Sequence, residues 1–576
     1  MMNSTQQLDG MPTELLEQIF GHFAESQLKD LHTLDDWKQG HKSPWRECSN
    51  VLQSLRLVCR RFHDLTSPML FSYLSISVEQ SSVEKADKVS KQPHLASCIR
   101  GVIIHAGLYD LRMLDSLDQH SNRISSELAD FLKLLSGKLT YMEYPEKYHE
   151  RVRVAAMEKN LEKLFETWGQ SAKIPGVGYL DLETPNIGHK SDTLHPDAPR
   201  YRKILEDGYK VFKECMTQGR QYLKTGAFAS DLVACLVRLP HLETVEMDAQ
   251  RRAPMDPGDV LEGNDLEALG RFVESGLQGA WKAPESFRDV YFAPIMTTLP
   301  AKLCDAGIRL RTLRLSMFPF TRLLSENGTG DSYRLPDQET SMKSLTDAIR
   351  TLESVTVNMY YETDPYWKEF ADDFLRAVLS SPALRELEMF VPLPARAFGR
   401  QALETTAYSV GRLLSAWSPE RLRRVRLENL ILQEATLSSI LIRCHNVWLD
   451  GVYLRDGLWA NVVDKVIEAR SSEKRLDQRS IHLRHIRGGE MGHILLCEQM
   501  TATEEREYEN MGYGGTEPVV LMMAEEYLRG SGKVQRNPFR EHKNNASYFS
   551  GKRVCHPAAA TIQVTVVCTL VAFFFT

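Results

Sequence analysis

The chain has 576 residues, 43% of them hydrophobic and 25% charged, with 70 Lys and Arg against 76 Asp and Glu for a formal net charge of −6. That balance is ordinary for globular protein, leaves room for several domains or one extended repeat array, and lacks the basic excess that would point to a nucleic-acid partner. The ten cysteines are scattered with no C-x-x-C among them, which argues against a disulfide framework and a structural zinc site and fits free thiols in a reducing compartment.

The first predicted element is helical. Residues 8–23 read LDGMPTELLEQIFGHF. Pro12 suits a first helical turn, where a missing N–H costs nothing, and Glu14 and Glu17 sit where the helix dipole favours negative charge. Met11, Leu15, Leu16, Ile19, Phe20 and Phe23 follow one another at intervals of four, one, three, one and three, which makes a single apolar stripe. Residues 52–71 (LQSLRLVCRRFHDLTSPMLF) repeat the pattern: Leu52, Leu55, Val58, Cys59, Phe62 and Leu65 share one face, and Ser67-Pro68 is a stop signal. Two such helices enclose little core, since modules below about 40 residues usually need a staple or a partner. The surplus apolar surface therefore reads as a protein-binding face, or as a face packed on the rest of the chain.

The phrases Met-Pro-x-Glu-Leu-Leu-x-x-Ile-Phe from Met11 and Leu-x-Leu-Val-Cys-Arg-x-Phe from Leu55 resemble the F-box. That module docks its protein onto a cullin-type ubiquitin ligase through a Skp-family adaptor. The resemblance implies adaptor contacts through Met11, Pro12, Leu15, Leu16, Ile19, Phe20, Leu55, Val58, Cys59 and Phe62. The connector at 24–50, with Trp37 and Trp45, is longer than the family carries and falls where its middle helix meets the adaptor. The module is thus expected over 8–71.

From 72 to 490 a short phrase recurs, Leu-x-x-aliphatic-x-aliphatic, usually after a helical pattern. It appears as LETVEM from Leu242, LRTLRL from Leu310, LESVTV from Leu352, LRELEM from Leu384 and LRRVRL from Leu422. Looser versions are LSISV at 74–78, IRGVIIH at 99–105, HNVWLDGVYL near Val447 and RSIHLRHI near Ile481. Alternation within each phrase is strand periodicity. A helix plus a short strand cannot bury its own apolar face, whereas stacked copies can. The expectation is an α/β chain: the helical F-box module, then an irregular leucine-rich-repeat-like solenoid of helix and short parallel strand units. The starts are 68, 42, 32 and 38 residues apart, against about 20–29 in regular repeats, so the reading is a diverged array with insertions, or an α/β domain whose strands share a phrase. Polar, Pro-rich stretches at 181–200, 248–266 and 325–341 read as exposed loops.

No site for chemistry is expected. There is no G-x-S-x-G, H-E-x-x-H or G-x-x-x-x-G-K-[ST]. His189 and His195 have finger-like spacing without a close cysteine pair, so neither metal nor cofactor is expected. In ligases of the resembled type the transfer chemistry resides on other subunits. Residues 491–557 read as a polar, partly disordered region. Residues 558–576 (AAATIQVTVVCTLVAFFFT) are uncharged and long enough to cross a bilayer, with Gln563 and four threonines against it; a tail anchor and a loose hydrophobic tail are both open. The N-terminus has no apolar signal segment, so a cytoplasmic or nuclear protein is expected. The expected function is the substrate-recognition subunit of a cullin-type ubiquitin ligase, joining a Skp-family adaptor, and through it a cullin, to a protein target that the sequence does not identify. The alternative is a non-catalytic scaffold on the same adaptor that delivers no target, with or without a membrane tether.

Overall fold

In a computed structural model of the chain the described residues are 11–17, 20, 51–105, 114–122, 124, 125, 128, 129, 132, 151–160, 198–248, 266–275, 292–318, 338–359, 365–391, 421–472, 480–484, 486–489, 523–525, 527, 528 and 536–540. They fall in two compact units, Met1–Ala397 with Gln401–Asn429, and Phe398–Arg400 with Leu430–Thr576. The division at 429/430 falls inside the 72–490 span over which the phrase recurs.

The first unit alternates helices and strands. Its helices include α1 (Arg60–Leu70), α2 (Gln80–Ser90), α3 (Pro93–Ala96), α4 (Ala198–Lys224), α5 (Ala227–Leu236), α6 (Leu266–Ser275), α7 (Phe292–Asp305), α8 (Gln338–Ala348) and α9 (Pro365–Leu379). Its strands are β1 (Tyr73–Ser77), β2 (Gly101–His105), β3 (Thr244–Asp248), β4 (Thr312–Phe318), β5 (Ser354–Met359), β6 (Glu386–Phe390) and β7 (Arg424–Glu428). Each strand pairs in parallel with the next in chain order. Parallel neighbours need a long crossover, which the intervening segments supply. The expected mixed α/β chain with a parallel sheet is what forms.

The recurrent phrase explains the strands. Its leading Leu242, Leu310, Leu352, Leu384 and Leu422 are all buried. Two residues on, the strand begins, and its second and fourth residues point into the core: Val245 and Met247, Leu313 and Leu315, Val355 and Val357, Leu387 and Met389, Val425 and Leu427. Each such side chain contributes about 1.5–3 kcal/mol. The residue after the leading leucine sets the register. The amides of Glu243, Arg311, Glu353, Arg385 and Arg423 donate to the carbonyls of Arg100, Glu243, Arg311, Glu353 and Arg385 at 2.7–2.9 Å. Charge alternates along this row as far as Arg385, with Arg311 3.8 Å from Glu243 and 3.5 Å from Glu353, and Arg385 3.8 Å from Glu353. These exposed pairs are worth at most about 1 kcal/mol each. The backbone ladder and the buried leucines hold the register.

Polar ties join helices. Arg238, two residues past α5, donates through Nε to Ser90 Oγ at 3.0 Å and pairs through Nη2 with Asp87 on α2. His120 is fully buried against Tyr209 and Phe212 of α4, with ring centroids 5.3 and 4.7 Å away, and its Nε2 meets the Val273 carbonyl of α6 at 3.2 Å. Burial disfavours the imidazolium and pulls the His120 pKa down to about 4 from the usual 6.5, although the Val273 carbonyl works in the opposite direction.

The second unit holds β8 (Ile431–Gln433), α10 (Glu434–Arg443), β9 (Asn446–Asp450), β10 (Tyr453–Asp456), α11 (Trp459–Ser472), β11 (Ser480–Arg484) and β12 (Arg487–Gly488). β9 pairs with β11, and β10 with both β8 and β12, all in parallel. Glu434 fastens α10 to α11. Its carboxylate accepts from the Leu458 amide at 3.1 Å, Asn461 Nδ2 at 3.2 Å and Lys465 Nζ at 2.5 Å. Burial raises its pKa, but Lys465 and the other donors outweigh this and leave it below the usual carboxylate range. Gly457 lies against that carboxylate with φ +97°, where any Cβ would collide with Glu434.

The chain end is less polar in its packing than its composition suggests. Residues 538–540 are helical. Phe539 is fully buried beside Trp459, and Asn537 Nδ2 donates to the Ala460 carbonyl at 2.9 Å and Asp464 Oδ1 at 2.6 Å. Residues 536–540 are an ordered part of the region expected to be partly disordered over 491–557, because one aromatic and one amide anchor them on α11. The loop readings also shorten: 198–200 begin α4, 248 ends β3, 266 begins α6, and 338–341 belong to α8. The remainder of those loops, the connector at 24–50, His189, His195 and the tail at 558–576 lie outside the described residues. Among the described residues no helix is long and apolar enough to cross a membrane.

Two consequences are measurable. His120 binds a proton in the unfolded chain near pH 6.5 but in the fold only near pH 4. Its stability contribution is therefore complete above about pH 6.5 and falls as the pH drops through that window, by on the order of 3 kcal/mol at the acid end. Urea denaturation at pH 7.5 and pH 5 checks this, and a His120→Phe variant should lose most of that pH dependence. Gly457→Ala should lower stability by about 1–3 kcal/mol, through the left-handed backbone and the clash with Glu434, seen as a lower urea midpoint.

Candidate functional site

Among the described residues the N-terminal module has three short helical pieces, 13–17, 51–56 and α1. Leu16, Phe20, Leu52 and Phe62 form its core. The Phe20 and Phe62 rings meet edge to face at 5.3 Å and 78°, a favourable aromatic geometry. Met11, Leu55, Cys59, Leu65, Met69 and Leu70 pack around this core, half-buried. Arg61 crosses between the halves, donating from Nη2 to the Met11 carbonyl at 2.6 Å and to Thr13 Oγ1 at 3.0 Å. Arg56 lies over the Phe71 ring at 5.0 Å.

The second half is not one helix, as the stripe from Leu52 to Leu65 implies. Leu57 and Val58 turn, with their amides on the Ser54 and Leu55 carbonyls at 3.1 Å. Cys59 is extended at φ −156° and ψ 166°, and its Sγ accepts the Phe62 amide at 3.5 Å as the N-cap of α1. The break removes Val58 from the stripe and turns it outward. Pro68 does not stop α1, which runs on to Leu70. Its missing N–H forgoes one bond in the last turn, but the Phe71 amide still closes that turn on the Ser67 carbonyl at 3.0 Å.

The ten expected contact residues therefore divide. Leu16, Phe20 and Phe62 are buried in the module's own core. Direct contact through those side chains is corrected to a supporting role, because the short helical pieces need them to stay together. Met11, Leu55 and Cys59 sit half-buried at the core's rim, and Pro12 is exposed. Leu15 is 44% exposed and Val58 61%. Ile19 lies outside the described residues. The structure adds Leu57, 86% exposed, and Val51, 39% exposed. Periodicity misses Leu57 because it falls off the stripe; the signal was the run Leu57-Val58 between two helix-forming segments.

Such a face can hold an apolar partner. It carries no constellation for chemistry, and among the described residues no group of three or more His, Cys, Asp or Glu is placed to hold a metal. Comparison with family models, curated proteins and solved structures finds no match for this chain.

Core and face separate experimentally. Leu16→Ala should cost about 2–5 kcal/mol locally and speed hydrogen exchange across residues 51–70. Leu57→Ser should leave that exchange unchanged, since an exposed substitution usually moves stability by under about 0.5 kcal/mol.

Proposed function

We propose that this chain is the substrate-recognition subunit of a cullin-type ubiquitin ligase. The N-terminal module is an F-box that binds a Skp-family adaptor through Pro12, Leu15, Leu57 and Val58, with Met11, Leu55 and Cys59 at its rim. The helix and strand units are a diverged leucine-rich-repeat array that holds a protein target. The thioester and RING chemistry of ubiquitin transfer belongs to other subunits, and this chain supplies proximity.

The observation that supports this reading most is the unequal use of apolar residues in the module. Among the described residues four side chains make its core, while Leu57, Val58 and Leu15 stay open to solvent on a piece too small to stand well alone. The sequential parallel pairing of β1–β7, with β3–β7 each led by a buried leucine, is the geometry that stacked repeats produce. Spacing of 32–68 residues between phrase starts marks long insertions between units.

The test is binding of the full chain to a purified Skp-family adaptor. Covering one large aliphatic side chain contributes about 1.5–3 kcal/mol, so Leu57→Asp with Val58→Asp should weaken the complex roughly a hundredfold or more while hydrogen exchange of the module stays as in the wild type. Absence of a wild-type complex, or unchanged affinity in the double variant, would overturn the adaptor face. Co-purification of a cullin, and a target whose lifetime lengthens when the chain is deleted, separates a receptor from a scaffold.

A further inference from the structure

The parallel register brings together three side chains that lie far apart in sequence. Ser77, His105 and Asp248 are direct partners across β1, β2 and β3, and Ser75 lies two residues before Ser77 on the same face. The alternate residues Ile76, Ile104 and Met247 point into the core. Ser75 Oγ is 2.7 Å from His105 Nε2, and His105 Nδ1 is 3.5 Å from Asp248 Oδ2. Exposure runs in the order an acyl-transfer relay needs. Ser75 is open to solvent, whereas the His105 and Asp248 side chains are 9% and 20% exposed.

We propose that Ser75, His105 and Asp248 form an acyl-transfer site for small esters, with Ser75 as nucleophile, His105 as general base and Asp248 as its orienting carboxylate. A nucleophile bonded to a base, and the base held by a third group, is the arrangement that activates a serine hydroxyl. The site lies toward the carboxyl ends of parallel strands, the edge at which α/β sheets bind ligands. With the imidazole proton on Nδ1 facing Asp248, Nε2 accepts the Ser75 proton. Ser75 Oγ attacks the carbonyl carbon of the ester. The adduct then collapses: the bond to the departing alcohol oxygen breaks, and Nε2 returns its proton to that oxygen. Water attacks the acyl group on Ser75 with Nε2 again as base, releasing the acid and restoring the hydroxyl. No oxidant or reductant is needed.

Two neighbours shape the site. Ile103, the register partner of Ser75 on the same face, is half-buried and offers apolar surface for a short acyl chain. The Ser77 amide points away from β2 and donates to Ser82 Oγ at 2.9 Å. Strand alternation turns the Ser75 amide to that same outer side, where it can donate to the developing oxyanion, as backbone amides do elsewhere. This site is independent of the adaptor face, so loss of adaptor binding leaves it standing, and the reverse.

The experiment is labelling of the full chain with a fluorophosphonate probe, read by mass spectrometry of the Ser75 peptide, alongside hydrolysis of p-nitrophenyl acetate. The expected result is an adduct on Ser75 that is absent in Ser75→Ala. General-base assistance is worth about 10²–10⁴-fold, so His105→Gln should slow labelling at least a hundredfold. Asp248→Asn, with an unchanged melting profile, should also slow it, which keeps the test valid if His105→Gln fails to fold. No adduct on wild-type Ser75, or labelling at the wild-type rate in a folded His105→Gln or Asp248→Asn variant, would overturn the proposal.

Discussion

The first unit depends on one repeated backbone contact. At the foot of each strand from β3 to β7, the residue after a buried leucine donates its amide to the equivalent carbonyl one strand earlier, a row that runs from Arg100 through Glu243, Arg311, Glu353 and Arg385 to Arg423. Because side chains alternate along a strand, a one-residue slip would turn Val355 and Val357 out and Ser354 and Thr356 in. The cost of that exchange fixes the register far more firmly than the exposed ion pairs along the same row. Irregular spacing does not disturb it, since insertions enter between strands and loop closure costs only slowly more as a loop lengthens.

That fixed register governs the open side of the sheet. Once Val245 and Met247 face the core, Glu246 and Asp248 must face the other way, and pairing then sets Asp248 beside His105. The polar face is thus a by-product of core packing, with neighbours determined by strand order. Glu246 and Arg314 meet there at 3.9 Å, and Arg424 reaches Glu388 at 3.3 Å. Side chains brought into line in this way keep their mutual distances as long as the ladder holds.

The N-terminal module works by the opposite economy. Among the described residues it shares no sheet, and its core is four side chains. A break at Leu57–Cys59 divides its second half, and the thiol of Cys59 caps the helix that follows. A continuous helix would have packed Val58 inward. The break turns it out with Leu57 and leaves Leu16, Phe20 and Phe62 to hold the pieces together. The residues that stabilise the module and those that can meet a partner are therefore different sets.

Much of this was legible in the sequence. The phrase beginning at Leu242, Leu310, Leu352, Leu384 and Leu422 marks five strands, and its alternation gives their inward faces, because burial on one side of a strand must show as a period of two. The apolar stripe around Leu15 and Leu16 likewise marks a helical module. Periodicity cannot see a break in which a cysteine replaces one turn of helix, so it places Val58 inside and overlooks Leu57. Nor can it see that Pro68 is tolerated near a helix end, or that Phe539 anchors a polar tail. The meeting of Ser75, His105 and Asp248 is beyond any linear reading. Their residue types are commonplace and their separations carry no motif; only the pairing of three parallel strands, decided by the core beneath them, places the three groups side by side.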